Sequence, residues 1–214
     1  MKRIAVFGGG IAHGLWDKNG GWSERLRKEL YARTIETNGS DHFELYNFAI
    51  RGDSSQQILD RFQSNMGSLE EHGDDVEQIT ILHVGGNDAQ FIYEEDEVRT
   101  PPEKFQENVE KLLDQALEGS EKVVIMTLMP VQDEDASPIP AKSGRSYTNN
   151  RMKEYSKIIR EAAGREEDVV LFDLFKLFNG KQDEMLEDGI HPNTEGHQLI
   201  YKKLKNKLSN EEII

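Results

Sequence analysis

Ile4-Ala5-Val6-Phe7-Gly8-Gly9-Gly10 is a continuous apolar run that ends on three glycines. A short unbroken apolar run bounded by turn residues reads as a buried strand. Strands covered on both faces belong to parallel sheets flanked by helices. The same grammar recurs along the chain. Ile79-Thr80-Ile81-Leu82-His83-Val84 stops at Gly85-Gly86, Val123-Val124-Ile125-Met126 leads to Met129-Pro130, and Val169-Val170-Leu171-Phe172 is a short fifth run. Phe43 and Leu45, followed by Phe48-Ala49-Ile50, make the second strand. Between these runs the apolar spacing changes to that of helices. Trp22, Leu26 and Leu30 share one helical face. Ser54 to Phe62 reads as a helix with Ile58, Leu59 and Phe62 inward. Pro101-Pro102 opens a helix whose stripe is Phe105, Val109, Leu112, Leu113 and Leu117, with Gly119 where a C′ glycine belongs. Met152, Tyr155, Ile158 and Ile159 mark another, and Thr194 to Leu208 closes the chain as a helix. This alternation predicts an α/β fold, a parallel sheet with helices on both faces.

The remaining segments read as connections. Glu94-Glu95-Asp96-Glu97 and Gln132 to Arg145 are expected to be exposed loops. The second, with Pro138 and Pro140, is long enough for a lid or binding loop, or equally a solvated surface excursion. No internal repeat or low-complexity linker divides the chain, so residues 1–214 are expected to form a single domain.

Composition narrows the function. The chain has 214 residues, 26 Lys and Arg against 40 Asp and Glu, and a formal net charge of −14. A nucleic-acid or anionic-membrane surface needs clustered Lys and Arg, so neither partner is expected. There are no cysteines, which excludes a disulfide scaffold, a thiolate metal site and a cysteine nucleophile. No apolar run approaches the roughly 18 residues of a membrane span. The opening Met1-Lys2-Arg3-Ile4-Ala5-Val6-Phe7 is too short for a secretory apolar core, so a cytoplasmic location is expected. No trio of histidines and carboxylates has zinc-ligand spacing, and no metal is expected.

In an open parallel sheet, ligands bind beyond the carboxyl ends of the strands. The residues expected there are Gly8 to Gly14, Arg51-Gly52-Asp53-Ser54, Gly85-Gly86-Asn87-Asp88 and, near the C-terminus, Asp188-Gly189-Ile190-His191-Pro192-Asn193. Asp188, three residues before His191, can hold one imidazole tautomer and leave the other ring nitrogen facing a cleft. Asn87 offers a side-chain N–H and Gly52 an unobstructed backbone N–H to an oxyanion. Each feature alone is weak, because a lone Asp-x-x-His more often caps a helix. The four in this order are far more specific.

In these blocks the chain resembles the SGNH, or GDSL-type, hydrolases. Gly52 fits that family's second block, Gly85-Gly86-Asn87-Asp88 the third and Asp188 to Asn193 the last. The similarity extends through Gly21-Trp22, Met129-Pro130-Val131, Tyr147-Thr148-Asn149-Asn150 and Gly196-His197. It implies a flavodoxin-like three-layer α/β/α sandwich with a five-stranded parallel sheet. It also implies ester hydrolysis without metal or organic cofactor, on a small-molecule ester or acylated carbohydrate. In an active relative a serine would attack the carbonyl, His191 would move the proton and Asp188 would orient it. Gly10 N–H, Gly52 N–H and Asn87 would bind the oxyanion.

The first block departs from the pattern. The family reads Phe-Gly-Asp-Ser-Ile, and this chain reads Phe7-Gly8-Gly9-Gly10-Ile11. The nucleophile position is Gly10. Loss of a serine nucleophile cost another hydrolase roughly 10⁶ in kcat, on the order of 8 kcal/mol. Gly52-Asp53-Ser54 spells the family letters but follows the second strand, and Ser54 with Gln57 fits a capping box instead. Three readings follow: a slow hydrolase using water, a non-catalytic ester or glycan binder, and an active enzyme altered at residues 9 and 10. Retention of Gly52, Asn87, Asp188 and His191 fits the third best. A nucleotide-binding α/β protein is a further alternative, since Gly8 to Gly14 approaches a dinucleotide fingerprint. It misses the last glycine by one position, however, and lacks an acidic residue at the end of the second strand. His83 and Trp22 are expected in the core and His197 on a helix near the site. His13 is a possible substrate contact, Trp16 flanks the first loop, and Asp88 supports the Asn87 turn.

Overall fold

The computed structural model describes residues 1–69, 76–133, 136–137, 139 and 144–214. In chain order the elements are β1 (Lys2–Gly8), α1 (Gly10–His13), α2 (Gly21–Glu36), β2 (Phe43–Asn47), α3 (Ser55–Gly67), β3 (Glu77–His83), β4 (Phe91–Ile92) and β5 (Glu97–Val98). Then follow α4 (Pro102–Glu118), β6 (Lys122–Met126), β7 (Arg145–Ser146), α5 (Asn149–Ala163), β8 (Val169–Phe172), α6 (Leu174–Phe178), α7 (Gln182–Met185) and α8 (Thr194–Asn210).

Five strands form one parallel sheet in the order β2-β1-β3-β6-β8. This is the flavodoxin-like order, with its reversal between β1 and β3. Successive residues of a buried strand face opposite layers, and β1 feeds both. Ala5 and Phe7 pack with Ile58, Phe62, Phe105, Val109 and Tyr155 of α3, α4 and α5. Ile4 and Val6 pack with Trp22, Leu26, Leu30, Ile200 and Leu204 of α2 and α8. Burying each such large apolar side chain contributes roughly 1.5–3 kcal/mol. The continuous apolar runs are thus strands sandwiched between two helical layers.

Several boundaries differ from the sequence reading. Phe48-Ala49-Ile50 lies outside β2, although Phe48 N–H still donates to Val6 O (2.8 Å) and Ile50 N–H to Gly8 O (3.0 Å). The chain leaves the ladder there to turn into the site. Gly119 is the C-cap of α4, with φ −117°, and is not a left-handed C′ residue. A second sheet, β5-β4-β7, is antiparallel; its two-residue strands are too short to show alternation. Glu94, Glu95 and Asp96 form the exposed turn between β4 and β5. Pro138 and Pro140 lie outside the described residues. Of their neighbours, Ala136 and Ile139 are buried, so the segment is not wholly the exposed loop that its composition suggests. Among the described residues, no helix is long and apolar enough to cross a membrane.

Candidate active site

A cavity of about 140 Å³ opens beyond the carboxyl ends of β1 and β3, at the point where the strand order reverses. Gly9 and Gly10 enter it from the end of β1, Gly52 from the loop after β2, and Gly85, Gly86 and Asn87 from the end of β3. Asp188 and His191 approach from the turn before α8. Val84, Leu128, Ile139, Met152 and Ile190 supply apolar walls.

The turn before α8 is built to aim a histidine. Leu186 and Pro192 pair across it, and Asn193 caps α8 through Gly196 N–H (2.9 Å). Inside the turn, Asp188 Oδ1 accepts the N–H groups of Ile190 (3.1 Å) and His191 (2.8 Å). Its Oδ2 lies 2.8 Å from His191 Nδ1. Burial pushes the Asp188 carboxyl up, but the hydrogen bonds from His191 outweigh it, so its pKa lies below the usual carboxylate value. An ionised carboxylate at Nδ1 fixes the proton there, and Nε2 is left as the acceptor.

The turn Ile50–Asp53 closes through Asp53 N–H on Ile50 O (3.3 Å). Gly52, its third residue, has φ +91°, and space is open where a Cβ would stand. A type II-like turn needs glycine at this position. Arg99 fastens the turn through Gly52 O (2.8 Å). Asn87 spends one amide hydrogen on Asp53 O (2.9 Å), which leaves its second available. Asp88, completely buried, accepts Ser55 N–H and Oγ–H (2.6 Å to Oγ) and so ties the loop after β3 to the start of α3.

Gly9 and Gly10 do not hold a conformation reserved for glycine. Gly9 is extended, with φ −98°, and Gly10 begins α1. A Cβ at Gly10 would meet a terminal methyl, Leu15 Cδ1, at 2.5 Å; one at Gly9 would lie 3.0 Å from Asn87 Nδ2. The Gly10 N–H stands in the first turn of α1, where no preceding helical carbonyl can accept it. Gly9 O receives His13 N–H (3.0 Å), and Gly10 O receives the N–H groups of Gly14 (3.1 Å) and Leu15 (3.0 Å).

Ser54 takes no place at the cavity. It caps α3 in a reciprocal capping box with Gln57, as the spacing predicts. Asp53 is paired with Arg61 (2.8 Å). His13 is exposed and bonds Ala49 O through Nδ1 (3.2 Å), outside the cavity lining. His197 is buried under the first loop, accepting Trp22 N–H at Nδ1 (3.3 Å) and meeting Leu15 O at Nε2 (3.0 Å). Trp22 is fully buried. The four residues of α1 offer no long helix start of the kind that a dinucleotide fingerprint requires.

Three lining residues carry weak or no sequence signals. Arg51 is hidden beside its informative neighbour Gly52. Tyr147 closes the wall through Gln90 Nε2 (2.7 Å), and burial pushes its hydroxyl up to about 12. His83 reads as core, and it is buried, but it also lines the cavity. Among the described residues its Nδ1 has no hydrogen-bond partner.

Burial, helped by nearby His197, holds the His83 pKa down to about 4 from 6.5. The unfolded chain therefore takes up this proton before the folded one. The resulting stability is complete above pH 6.5 and is lost as pH falls toward 4, up to about 3 kcal/mol. His83→Leu is expected to flatten the loss of stability between pH 7 and 5. Urea midpoints at the two pH values test this, and a variant that loses as much as the parent refutes it.

Strand order and the placement of the cavity define the α/β/α sandwich of the SGNH hydrolases. The GDSL-like lipase/acylhydrolase family profile matches residues 6–199, and the chain belongs to that family. The lipase/acylhydrolase from Enterococcus faecalis is 25% identical and superposes with a TM-score of 0.71, over 99% of this chain and 97% of its own. Axe2, an acetylxylan esterase from Geobacillus stearothermophilus, shares the fold at 14% identity and a TM-score of 0.70, over 96% of this chain and 93% of its own. YpmR, an uncharacterized protein of Bacillus subtilis (strain 168), is 22% identical over 225 residues, covering 97% of this chain and 82% of its own length.

Proposed function

We propose that the chain is a carboxylic-ester hydrolase by ancestry whose activity is lost or very low, because Gly10 occupies the nucleophile position. The observation that carries this reading is the convergence of Gly10, Gly52, Asn87, Asp188 and His191 on one cavity, with no side chain where the attacking hydroxyl belongs. In the full mechanism a serine at residue 10 loses its proton to His191 Nε2 as its oxygen attacks the ester carbonyl. Gly10 N–H, Gly52 N–H and the free hydrogen of Asn87 stabilise the oxyanion. His191 then protonates the departing alcohol, and water releases the acid by the same steps. Asp188 stabilises the imidazolium. In this chain only water is left to attack, with His191 as its base. The residues require neither metal nor organic cofactor for this chemistry.

The small apolar cavity favours short acyl groups such as acetyl, and the acetylxylan esterase neighbour supports O-acetyl carbohydrate as the substrate class. The second reading, a non-catalytic ester or glycan binder, draws on the same cavity without a nucleophile. A fluorophosphonate probe tests the assignment, because it phosphonylates only an activated hydroxyl. It is expected to leave the parent chain unlabelled and to label Gly9→Asp/Gly10→Ser at residue 10, read by peptide mass spectrometry. Labelling of the parent at Ser54 would overturn the assignment of residue 10.

A further inference from the structure

We infer that the mouth of the cavity binds the alcohol half of the ester, and that this half is a sugar ring bearing a carboxylate. The inference rests on the hydrolase reading above and gives that site its substrate class.

The placement of Trp16 is the first observation. It lines the cavity, the residue is 54% exposed, and its backbone is left-handed at φ +66°. A bulky residue holds that conformation only where the surrounding fold imposes it. Its ring lies 6.2 Å from the His191 ring, tilted by 42°. The base that takes the nucleophile's proton returns it to the departing alkoxide. The alcohol therefore leaves past His191, and Trp16 stands beside that path. An exposed aromatic ring there presents a flat apolar surface, which suits the C–H face of a sugar ring.

Arg51 is the second. It is exposed and lines the same mouth, with its Cγ 3.9 Å from where a Cβ on Gly10 would stand. Among the described residues it has no hydrogen bond and no ion pair, in a chain of net charge −14. The acidic groups at the cavity are already engaged, Asp53 with Arg61 and Asp188 with His191. A guanidinium with no partner of its own, beside carboxylates already engaged elsewhere, is a ready partner for an anion on the ligand, and its planar fork matches a carboxylate. A monoanion suits this mouth better than a phosphate dianion, which would face Asp53 and Asp188.

The size of the cavity is the third. Apolar walls and a volume of about 140 Å³ reserve the interior for a small acyl group. The charged and ring-shaped part of the ligand is thereby left at the rim, where Trp16 and Arg51 stand.

The parent chain lacks the attacking hydroxyl, so binding is measured without rapid consumption of the ester. Calorimetric titration would compare an O-acetylated methyl glucuronoside with the matching O-acetylated methyl glucoside. The uronate is expected to bind about five- to tenfold more tightly. Arg51→Gln should abolish the difference and leave the neutral glycoside unchanged. Trp16→Ala should weaken both sugars, and Trp16→Phe should recover most of the loss. Equal affinities in the parent, or a preference that survives Arg51→Gln, would overturn the inference. So would an absence of sugar binding while Gly9→Asp/Gly10→Ser cleaves p-nitrophenyl acetate, and in that case the hydrolase reading stands. If that double variant is also silent, both fall.

Discussion

Gly9→Asp/Gly10→Ser is expected to hydrolyse p-nitrophenyl acetate at least about 10³-fold faster than the parent chain, and up to about 10⁶-fold. The physical case lies in what the two substitutions have to disturb. The backbone at residues 9 and 10 already holds angles open to any L-residue. At residue 10 the obstacle is the Leu15 Cδ1 methyl, the tip of a flexible side chain, which a rotamer change removes. At residue 9 a Cβ would lie 3.0 Å from Asn87 Nδ2, a contact that a shift of a few tenths of an ångström relieves. The proposed base, its orienting carboxylate and the oxyanion donors remain in place around the cavity. Steady-state rates with matched circular dichroism spectra check the expectation. A folded but silent double variant on a panel of acyl lengths would show that the surrounding groups have drifted from catalysis, and the binding reading would then replace this one.

The second large effect is the dependence of that gain on the Asp188–His191 pair. In the Gly9→Asp/Gly10→Ser background, His191→Ala is expected to remove nearly all of the gained turnover, about 10⁴- to 10⁶-fold. Without Nε2 the hydroxyl is not deprotonated and the leaving alcohol is not protonated. Asp188→Asn should cost about 10⁴-fold, because an amide facing Nδ1 favours the wrong tautomer. Both side chains are only partly buried, at 27% and 24% exposure, so neither substitution opens a core cavity. Folding is therefore expected to survive, as thermal melts would verify. If His191→Ala retained the gained rate, another base would be at work and His191 would lose its proposed role.

β1, β6 and β8 were legible because each carries an unbroken apolar run, as burial between two helical layers demands, whereas β2 and β3 carry polar residues among theirs. The strand order is not written in periodicity; it came from the family resemblance. The capping box at Ser54 was legible because both of its hydrogen bonds are local. The second sheet was not, since two-residue strands show no alternation and their partners are far apart in sequence. Gly119 misled because its place after the helix suggested a positive φ that the backbone does not take. The site blocks were readable as motifs, but their walls were not. Arg51, Trp16 and His83 matter through positions in space, and the spacing of residues along the chain gives no access to those.

The first loop is anchored from far away. His197 in α8 meets Leu15 O across 182 residues, and Thr194 Oγ1 meets Asp17 Oδ1 across 177. These contacts bear on the order of assembly during synthesis. Residues 9 and 10 leave the ribosome long before the groups that hold their loop. A nascent chain without α8 lacks the anchors of that loop, and one stopped before residue 188 lacks the Asp188–His191 pair as well. Any ligand that needs the finished cavity therefore finds it only once α8 has emerged and docked, and such long-range closure is among the slower events in folding.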